Sequence, residues 1–513
     1  MNNILTNRNF NNFQILLFSC LPGALVAGPL IAEIIINIIS IFYIFDIIRN
    51  KNFKIFKNRI FYIFSFFYIL LIVSLINSDI FSESALNVFF YFRFFLFAFA
   101  ACELLKKNDI YIKFFYICLS VTILIVVSDG YLQFFYGENI LGYPKYRPDR
   151  ISGFFDDDLI IGSYLLRILP IFIGLTLYLK NKLNNLLYIN QILILATCLL
   201  IFLSGERAAF ILLMIFLFVS IPQINLKKNY ILIFFAIIIS LFSAFLFSNQ
   251  IIKDRHVVQL KEHTFGIKIL RYYMPMFNTS YKMFIDKPIL GFGPKAYRYY
   301  CSKEKYVSYF NVRQIIDNTV IKPDFGWKKV YKNYIVKELF VNVGDYIDIG
   351  TKIFSYSFIN NGEIESEIFD YFSKKEGIVE KIYIKERYVN NNEFAEIKPL
   401  KSPESSTIIP NACNTHPHNT YVQLLAETGF IGFAVVFSLF VYLLFVLSKN
   451  FVNIYFFNQR KLSDFELCLL ANFFIILWPL TTSGNFFNNW LNICSFFPLV
   501  FYLFIKEKMN EQK

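Results

Sequence analysis

The chain has 513 residues, of which 56% are hydrophobic and 17% are charged, and its formal net charge is +13. The mean hydropathy is +0.49. Soluble domains are about 45–50% apolar, so this composition excludes an ordinary soluble protein and predicts a polytopic membrane protein. The positive charge does not predict nucleic-acid binding, because the basic residues lie mostly in short loops between apolar segments, where they set membrane orientation.

Twelve apolar segments have about the length that a bilayer-spanning helix needs. They are residues 13–26, 29–48, 60–77, 85–105, 110–134, 158–179, 186–203, 206–221, 229–247, 418–447, 464–482 and 489–506. The first is interpreted as an uncleaved span, because no lysine-rich segment precedes it and no small-residue cleavage site follows. The sequence therefore predicts an α-helical polytopic membrane protein with about twelve transmembrane helices.

Lysine and arginine predict the orientation of these spans. They are frequent in every second short loop, whereas the opposite short loops hold only Lys145, Arg147 and Arg150. Basic loops remain on the cytoplasmic side. We therefore expect cytoplasmic N- and C-termini, and a long external segment between spans nine and ten.

Composition divides the chain into five parts. Residues 1–247 carry the first nine spans, and 248–318 form an external loop with amphipathic surface helices. Residues 319–400 are charged, alternate in polarity and contain turn glycines, which is typical of β-structure. Residues 401–417 are a loop that leads to His418, and 418–513 carry the last three spans.

The β-segment contains a weak internal repeat. Each copy, one starting at Val336 and one at Val379, reads as a strand, a turn and a strand. This resembles the two halves of a lipoyl/biotinyl-type barrel-sandwich hybrid. The central hairpin, 358–369, has no lysine for a swinging arm, so the resemblance implies a scaffold or a docking module for an envelope partner. The alternative is a generic small β-domain.

Charged residues inside apolar spans require a reason, because they are costly there. Glu33, Arg93, Arg167 and Arg207 all fall in the outer halves of their predicted helices. Internal ion pairs, such as Glu33 with Arg93 or Arg167, are one explanation. Three arginines against one carboxylate also leave surplus positive charge, and guanidinium groups suit a diphosphate.

Two external segments add further basic residues. The stretch from Tyr146 to Leu165 contains Arg150, and the stretch from Gly266 to Arg298 predicts a surface helix with Arg271. An interfacial arginine that meets lipid phosphate is the alternative interpretation of Arg271. Cys301 and Cys413 are predicted outside the membrane, where a disulfide can form; the alternative is two free thiols.

Several short motifs share this external side. The most specific is a histidine and an amide, His418-Asn419, followed by nine residues and then G-x-x-G ending at Gly432. The others are S-G-E-R (204–207), R-I-S-G-F-F (150–155), P-I-L-G-F-G (288–293) and G-N-F-F-N-N-W (484–490). In this order they resemble the O-antigen ligase and O-antigen polymerase superfamily of GT-C-like membrane glycosyltransferases.

The resemblance implies transfer of an undecaprenyl-diphosphate-linked glycan to a lipid or glycan acceptor at the periplasmic face of the bacterial inner membrane. His418 would be the essential histidine, with no metal and no cofactor. Arg207 and Arg271 would hold the diphosphate, and we expect further substrate contacts from the side chains of Arg93, Arg150, Arg167 and Asn419. For His418 the alternative is a helix-capping or interfacial role, and His416 is expected to support the loop.

Two other functions remain open from the sequence. A polymerase shares these motifs with a ligase. A secondary transporter also suits twelve spans, but transporters usually show repeated halves and charge near the midplane, whereas these charges fall near one face.

Overall fold

The computed structural model describes most of the chain. The described residues are 8–51, 53–78, 80–180, 186–259, 267–308, 319–321, 333–348, 350–360, 363–364, 368–373, 377–382, 388–389, 395–398 and 413–511. The chain divides into two compact units, one formed by Met1–Ser308 with Asn411–Lys513, the other by Tyr309–Pro410. The described helices belong to the first unit and the described strands to the second.

The first unit is a bundle of apolar helices. In chain order they are α1 (Arg8–Ala27), α2 (Pro29–Asn50), α3 (Arg59–Ser74), α4 (Phe81–Phe89), α5 (Phe92–Lys106), α6 (Asp109–Tyr136), α7 (Ile161–Leu179), α8 (Leu186–Leu203), α9 (Arg207–Ser220), α10 (Lys228–Ser248), α11 (Gln250–Lys253), α12 (Ile267–Asp286), α13 (Tyr297–Tyr300), α14 (Thr420–Phe457), α15 (Asp464–Ile476) and α16 (Asn489–Glu511). A π-helical turn, Asp254–Val258, follows α11.

Eight of these helical segments are long and apolar enough to cross a membrane: α1, α2, α4 with α5, α6, α7, α10, α14 and α16. The chain is therefore a polytopic helical membrane protein, as predicted. Each of the twelve predicted spans coincides with a described helix. The count of twelve stays a prediction, because α3, α8, α9 and α15 are shorter than a full span.

Three of the predicted spans show how the helices differ from the prediction. The fourth span is interrupted between α4 and α5. The eleventh, predicted to residue 482, ends at Ile476, three residues before Pro479, since a proline cannot continue the backbone hydrogen bonding of a helix. The tenth is longer than predicted and ends at Phe457, and it contains a break at Gly429.

The interior of the bundle is rich in aromatic rings. Phe18 of α1 is fully buried. Its ring centroid lies 4.8 Å from that of Phe115 on α6, 5.7 Å from Phe497 on α16, and 6.1 Å from both Phe97 and Phe501. Phenylalanine thus supplies helix–helix packing as well as lipid-facing surface.

Ion pairs connect helix ends that were predicted to share a membrane side. At the predicted cytoplasmic end, Lys106 of α5 pairs with Glu103 at 2.9 Å and contacts Glu507 of α16. Lys508 contacts Asp109 at the start of α6. These contacts agree with the predicted orientation, which itself stays a prediction.

The second unit consists of two antiparallel sheets. The strands are β1 (Thr319–Ile321), β2 (Asn333–Leu339), β3 (Tyr346–Ile347), β4 (Lys352–Asn360), β5 (Glu363–Ile364), β6 (Phe369–Phe372), β7 (Gly377–Ile382), β8 (Tyr388–Val389) and β9 (Ala395–Lys398). One sheet has the order β1-β9-β7-β3 and the other β5-β4-β2-β8, with β6 beside β4. Val336, Ile353, Phe354 and Val379 belong to the core of this unit.

The internal repeat corresponds to a structural repeat. In the first copy, β2 and β4 belong to the sheet that contains β5 and β8, while β3 belongs to the sheet that contains β1. In the second copy the assignment is reversed: β7 and β9 belong to the sheet with β1, and β8 belongs to the sheet with β5. The pairings β2–β4 and β7–β9 are equivalent, and each shifts register once, after Val336 and after Val379. The repeat thus exchanges the sheets, as expected of a two-fold sandwich. The likeness to lipoyl domains stays a prediction, and residues 361–362 and 365–367 of the central hairpin lie outside the described residues.

Candidate functional site

Two of the sequence motifs pack against each other through Gly205. Its φ of 70° lies in the region that favours glycine, and a Cβ there would be 2.1 Å from the Asp149 carbonyl oxygen. The N–H of Ile151 donates to the Ser204 carbonyl at 3.2 Å. The S-G-E-R turn therefore holds the R-I-S-G-F-F segment in place, so Arg150 and Arg207 are brought to the same end of the bundle.

Glu206 in this turn is occupied by backbone. Its carboxylate accepts the N–H of Gly162 at 2.6 Å, and both the N–H and the hydroxyl of Ser163, at 3.2 and 2.6 Å. It thereby satisfies the first turn of α7, where the helix leaves N–H groups without partners. Glu206 is therefore fixed by α7 and does not form an ion pair with Arg207.

Arg207 and Arg150 belong to a group of cations around Asp149, and the carboxylate of Glu206 also acts on Arg150. Arg255 of the π-helical turn is 3.3 Å from Asp149 and donates from Nε to the Gly205 carbonyl at 2.7 Å. Arg147 also pairs with Asp149, at 3.2 Å. Burial, and next the charge of Arg207, lower the pKa of Arg255 to about 9. We call Arg147, Arg150, Arg207 and Arg255 the arginine group; it has surplus positive charge.

Some N–H groups of this end have no partner within the described part of the chain. They are Nε of Arg150 and Nη1 of Arg207 in the arginine group, and Nε of Arg93 and Arg167. Leaving a buried donor unsatisfied costs about 1–3 kcal/mol, and more when the donor is charged. Such donors are suited to an anion that brings its own oxygen atoms.

Arg93 and Arg167 have different surroundings. Arg93 is 3.5 Å from Glu33, as one alternative predicted, and Glu33 also accepts from Asn489 at 2.5 Å. Arg167 donates to the carbonyl of Ser163 one turn earlier, at 2.8 Å. Arg93 is thus partly neutralised by an ion pair, whereas Arg167 forms no ion pair with any described carboxylate.

His418 sits in a left-handed backbone conformation, with φ of 56°. Its carbonyl accepts the N–H of Ser483 at 2.9 Å, and its Nε2 is 2.9 Å from Nδ2 of Asn414. The Oδ1 of Asn414 accepts the Thr415 N–H at 2.7 Å, which fixes the amide with Nδ2 as the donor. The ring therefore accepts at Nε2 and carries its proton on Nδ1.

Burial lowers the pKa of His418 below its ordinary value, so the ring is neutral near pH 7. His416 is packed against it, with ring centroids 4.3 Å apart. Nε2 of His416 donates to the Ser483 carbonyl at 3.1 Å, and Nδ1 accepts from the Thr415 hydroxyl at 2.9 Å. Both nitrogens of His416 are thus used within the protein, and this geometry suits a supporting role.

Tyr273 of α12 connects the histidines with the arginine group. Its ring meets that of His418 edge to face at 6.2 Å between centroids. Burial raises the pKa of Tyr273, and the nearby charges of Arg207 and Arg255 counteract this rise. Tyr273 therefore contacts His418 and is within electrostatic range of Arg207.

The remaining glycine motifs lock the His418 helix to the loop before the second unit. Gly429 interrupts α14 with φ of 65°, and a Cβ there would be 2.3 Å from the Ile289 carbonyl oxygen. The loop supplies the missing backbone hydrogen bonds. The N–H of Gly293 donates to the backbone carbonyl of Glu427 at 2.8 Å, and the N–H of Phe430 donates to the carbonyl of Pro288 at 2.7 Å. P-I-L-G-F-G and G-F-I-G thus form one structural joint beside His418.

Glu427 strengthens this joint. The side chain is fully buried and accepts the backbone N–H groups of Lys295 and Tyr297, each at 3.0 Å, and the amide of Gln423 at 2.9 Å. The positive charge of Arg298, on α13, lowers the pKa of Lys295 in the loop before that helix, although burial has the larger effect. The charge of Arg298 also acts on His416.

Two further residues that were predicted to contact substrate are Asn419 and Arg271. Asn419 caps α14 by accepting the N–H groups of Tyr421 and Val422 at 3.0 and 3.1 Å, and it donates to the Pro479 carbonyl at 2.9 Å. Its Oδ1 accepts two hydrogen bonds and one of its two amide N–H groups is engaged, and substrate contact by Asn419 stays a prediction. Arg271 lies on α12, and its side chain is outside the described structure.

Cys301 and Cys413 form a disulfide in the structure, with their Cα atoms 5.0 Å apart. It joins the residue that follows α13 to the residue before Asn414. The bridge thus ties the His418 loop to the segment that packs against Gly429.

Sequence reasoning did not identify Tyr273, Asn414 or Arg255. None belongs to a short motif, and their roles depend on contacts with residues far apart in the chain. Arg255 and His256 follow α10 in an unremarkable stretch. His256 is buried, donates to the Phe202 carbonyl at 2.9 Å, and has a pKa that burial lowers to about 4. The fourth histidine, His263, lies outside the described residues.

Fold and site together define a class: a polytopic helical membrane protein with a basic, histidine-containing site at one end of its bundle. A family model described as O-Antigen ligase matches residues 192–321. Residues 192–321, about a quarter of the chain, are therefore similar to the O-antigen ligase family. The matched range contains Arg207, Arg255, Tyr273 and the P-I-L-G-F-G motif, and it ends before His418. A search of curated proteins finds no match.

Proposed function

We propose that the protein transfers a glycan from an undecaprenyl-diphosphate-linked donor to an acceptor hydroxyl at the periplasmic face of a bacterial inner membrane. The observation that carries this proposal is the convergence of His418 and Arg207 on Tyr273. Arg207 and Arg150 each have a buried guanidinium N–H without a described partner. The site is thus basic where a diphosphate would lie and has a neutral histidine where a hydroxyl would lose its proton.

In the proposed reaction the bond between the anomeric carbon and the diphosphate oxygen breaks. The acceptor oxygen forms the new bond to that carbon, and undecaprenyl diphosphate leaves with the electron pair. The arginine group, with Arg167 and Arg271, stabilises the charge that develops on the leaving diphosphate. Arg93 is a weaker contributor because Glu33 already neutralises part of its charge.

The acceptor proton goes to Nε2 of His418. This nitrogen is unprotonated and is held by the Asn414 amide, so the acceptor hydroxyl takes the place of Asn414 as the hydrogen-bond donor. A base with a pKa at or below the ordinary histidine value is unprotonated at neutral pH and can accept a proton in the transition state. Transfer needs no cofactor in this scheme.

The acceptor is proposed to be the core sugar of lipid A or a similar glycolipid. The second unit, with its two sheets, is proposed to project into the periplasm and to guide the acceptor or an envelope partner. The alternative within the superfamily is a polymerase, whose acceptor is a second lipid-linked glycan.

Deletion of the gene, followed by analysis of surface glycans, tests this function. Loss of glycan-capped lipid A with intact long chains supports the ligase, whereas chains shortened to a single repeat unit identify a polymerase. Unchanged surface glycans, together with solute flux by the purified protein in proteoliposomes, would contradict both and identify a transporter.

A further inference from the structure

A cavity of about 350 Å³ opens beside the arginine group. It lies where the outer ends of α6 and α10 meet the loop after α6. Cavities that bind small molecules measure about 300–1,000 Å³, so this one accommodates a headgroup and not a whole lipid. Its lining does not include His418 or Arg207.

The lining has a basic part and an apolar part. Lys145, Arg150 and Arg255 supply positive charge against the single carboxylate of Asp149, while Phe134 and Phe245 contribute aromatic surface. Lys145 is half-buried, and burial lowers its pKa. Its Nζ donates to the Phe134 carbonyl at 2.7 Å and lies 5.0 Å from the centre of that ring.

A lysine on a carbonyl of the last turn of α6 could simply cap that helix. Helix capping accounts for Lys145 alone. It does not explain why three cations share one cavity, or why Nε of Arg150 has no partner within the described structure. An anion in the cavity would balance the three cations.

The apolar part indicates what carries the anion. Phe135 lines the cavity and is 66% exposed, and Ile251, also in the lining, is 37% exposed. α10 is mostly unburied by the rest of the protein, so this side of the bundle faces lipid. A ring between the basic lining and the lipid phase suits a ligand that is a phosphate at one end and a hydrocarbon at the other.

We propose that this cavity holds the phosphate end of a membrane lipid, whose chain leaves the protein past Phe135, between α6 and α10. The inference deepens the proposed function and rests on it only for the identity of the lipid, the polyprenyl diphosphate donor. Arg150 and Arg255 then connect this site with Arg207, so the diphosphate would enter beside Lys145 before it reaches His418.

Lipid binding to the full chain in nanodiscs tests the proposal, with undecaprenyl diphosphate, phosphatidylglycerol and inorganic diphosphate as separate probes. Lys145→Gln removes one charged hydrogen bond and should weaken undecaprenyl diphosphate binding about tenfold; Lys145→Arg should restore most of it. Lys282→Gln is the matched control, because Lys282 also donates to a carbonyl, that of Val307, at 2.7 Å. Its binding should equal that of the wild type.

The chain path has its own variant pair. Phe135→Ser should weaken both lipids and leave inorganic diphosphate unchanged, whereas Phe247→Ser, on an 88% exposed ring that is not part of the lining, should change neither. Unchanged undecaprenyl diphosphate binding in Lys145→Gln overturns the site as a donor site, even if phosphatidylglycerol binding falls. Unchanged lipid binding in Phe135→Ser overturns the chain path.

The outcome is independent of catalysis. His418→Ala should bind undecaprenyl diphosphate like the wild type. If that variant transfers glycan normally, the proposed function fails while the binding results still decide the cavity.

Discussion

Basic side chains are paired differently at the two ends of the helical bundle. At the predicted cytoplasmic end, lysines are matched by carboxylates: Lys106 with Glu103 and Glu507, Lys508 with Asp109, and Lys506 with Glu466 at 2.5 Å. At the other end the basic side chains are arginines together with Lys145 and Lys295. Arg150, Arg167 and Arg207 each keep a buried N–H group without a partner in the described part of the chain.

This difference separates structural charge from functional charge. The matched pairs at the predicted cytoplasmic end connect neighbouring helices. At the outer end, burial of unmatched guanidinium groups is unfavourable unless an anion is bound, so the apoprotein is less stable there than its liganded form. The comparison can be tested by substitutions at both ends.

The largest expected effect is at His418. His418→Ala should lower the rate of transfer by about 100-fold or more, because it removes the proposed general base, while the protein remains folded. Transfer by purified protein measures the rate, and size-exclusion chromatography checks the fold. Near-normal transfer by a folded variant would rule out His418 as the base.

Asn414 provides a graded control for this prediction. Asn414→Ala removes only the amide that orients the ring, so transfer should fall much less than in His418→Ala. Asn414→Asp would accept a hydrogen bond from a protonated Nε2 and so stabilise the proton on that nitrogen, which should be more harmful than alanine. Equal activity of the two Asn414 variants would contradict the assigned tautomer.

Arg207 tests the unmatched charge itself. Arg207→Ala should weaken donor use by about 10- to 100-fold, the loss expected for a charged hydrogen bond. Arg207→Lys should recover little, because lysine lacks the planar fork that contacts a diphosphate at two points. The matched control at the cytoplasmic end is Lys508→Gln, which should transfer normally. Full activity of Arg207→Lys would mean that charge alone is sufficient.

The second unit tests whether the outer end of the bundle suffices for chemistry. Removing residues 319–400 and joining Asn318 to Lys401 by a flexible linker should leave transfer to a simple acceptor and reduce use of the native acceptor several-fold. Compact domains with neighbouring ends tolerate such excision. Loss of all His418-dependent transfer in a correctly inserted protein would show that this unit helps to form the site.

A substitution at Gly429, in the joint between α14 and the P-I-L-G-F-G loop, should lower the stability of the folded protein. Gly429→Ala forces a side chain into a backbone conformation that costs about 1–3 kcal/mol, in addition to the clash with Ile289. The Tm in detergent should fall, and transfer should fall with it. Gly23→Ala is the control, because a Cβ there meets no atom closer than 3.8 Å. An unchanged Tm in Gly429→Ala would mean that the joint is not rigid.

The smallest expected effect is on pH dependence. The pKa values of His256 and His416 are about 4 in the folded protein, because both rings are buried, against about 6.5 when unfolded. Between these values the unfolded chain binds protons that the folded chain does not, so stability should decrease as the pH falls from about 6.5 to 4. The Tm in detergent should follow this course, and His256→Asn should reduce the pH-dependent part of the loss.

Several features of the protein follow from the sequence by itself. Apolar length and composition are local properties, so they place each of the twelve predicted spans on a described helix. The repeat that begins at Val336 and Val379 likewise predicted two strand–turn–strand copies, because alternation of polarity is local. An ion pair of Glu33 with Arg93 or Arg167 was one alternative that the sequence left open, and the structure places Glu33 3.5 Å from Arg93.

Only the tertiary structure decided how the site is assembled. Tyr273 contacts His418 within electrostatic range of Arg207, Asn414 fixes the ring tautomer, and Arg255 shares Asp149 with Arg147; these contacts join residues whose positions in the chain carry no common pattern. The glycine motifs also acquired their explanation only there, because a close crossing of two backbones is invisible until both segments are placed. The physical reason is the same in each case: helix formation depends on neighbours along the chain, whereas charge matching and backbone crossing depend on which helices pack side by side.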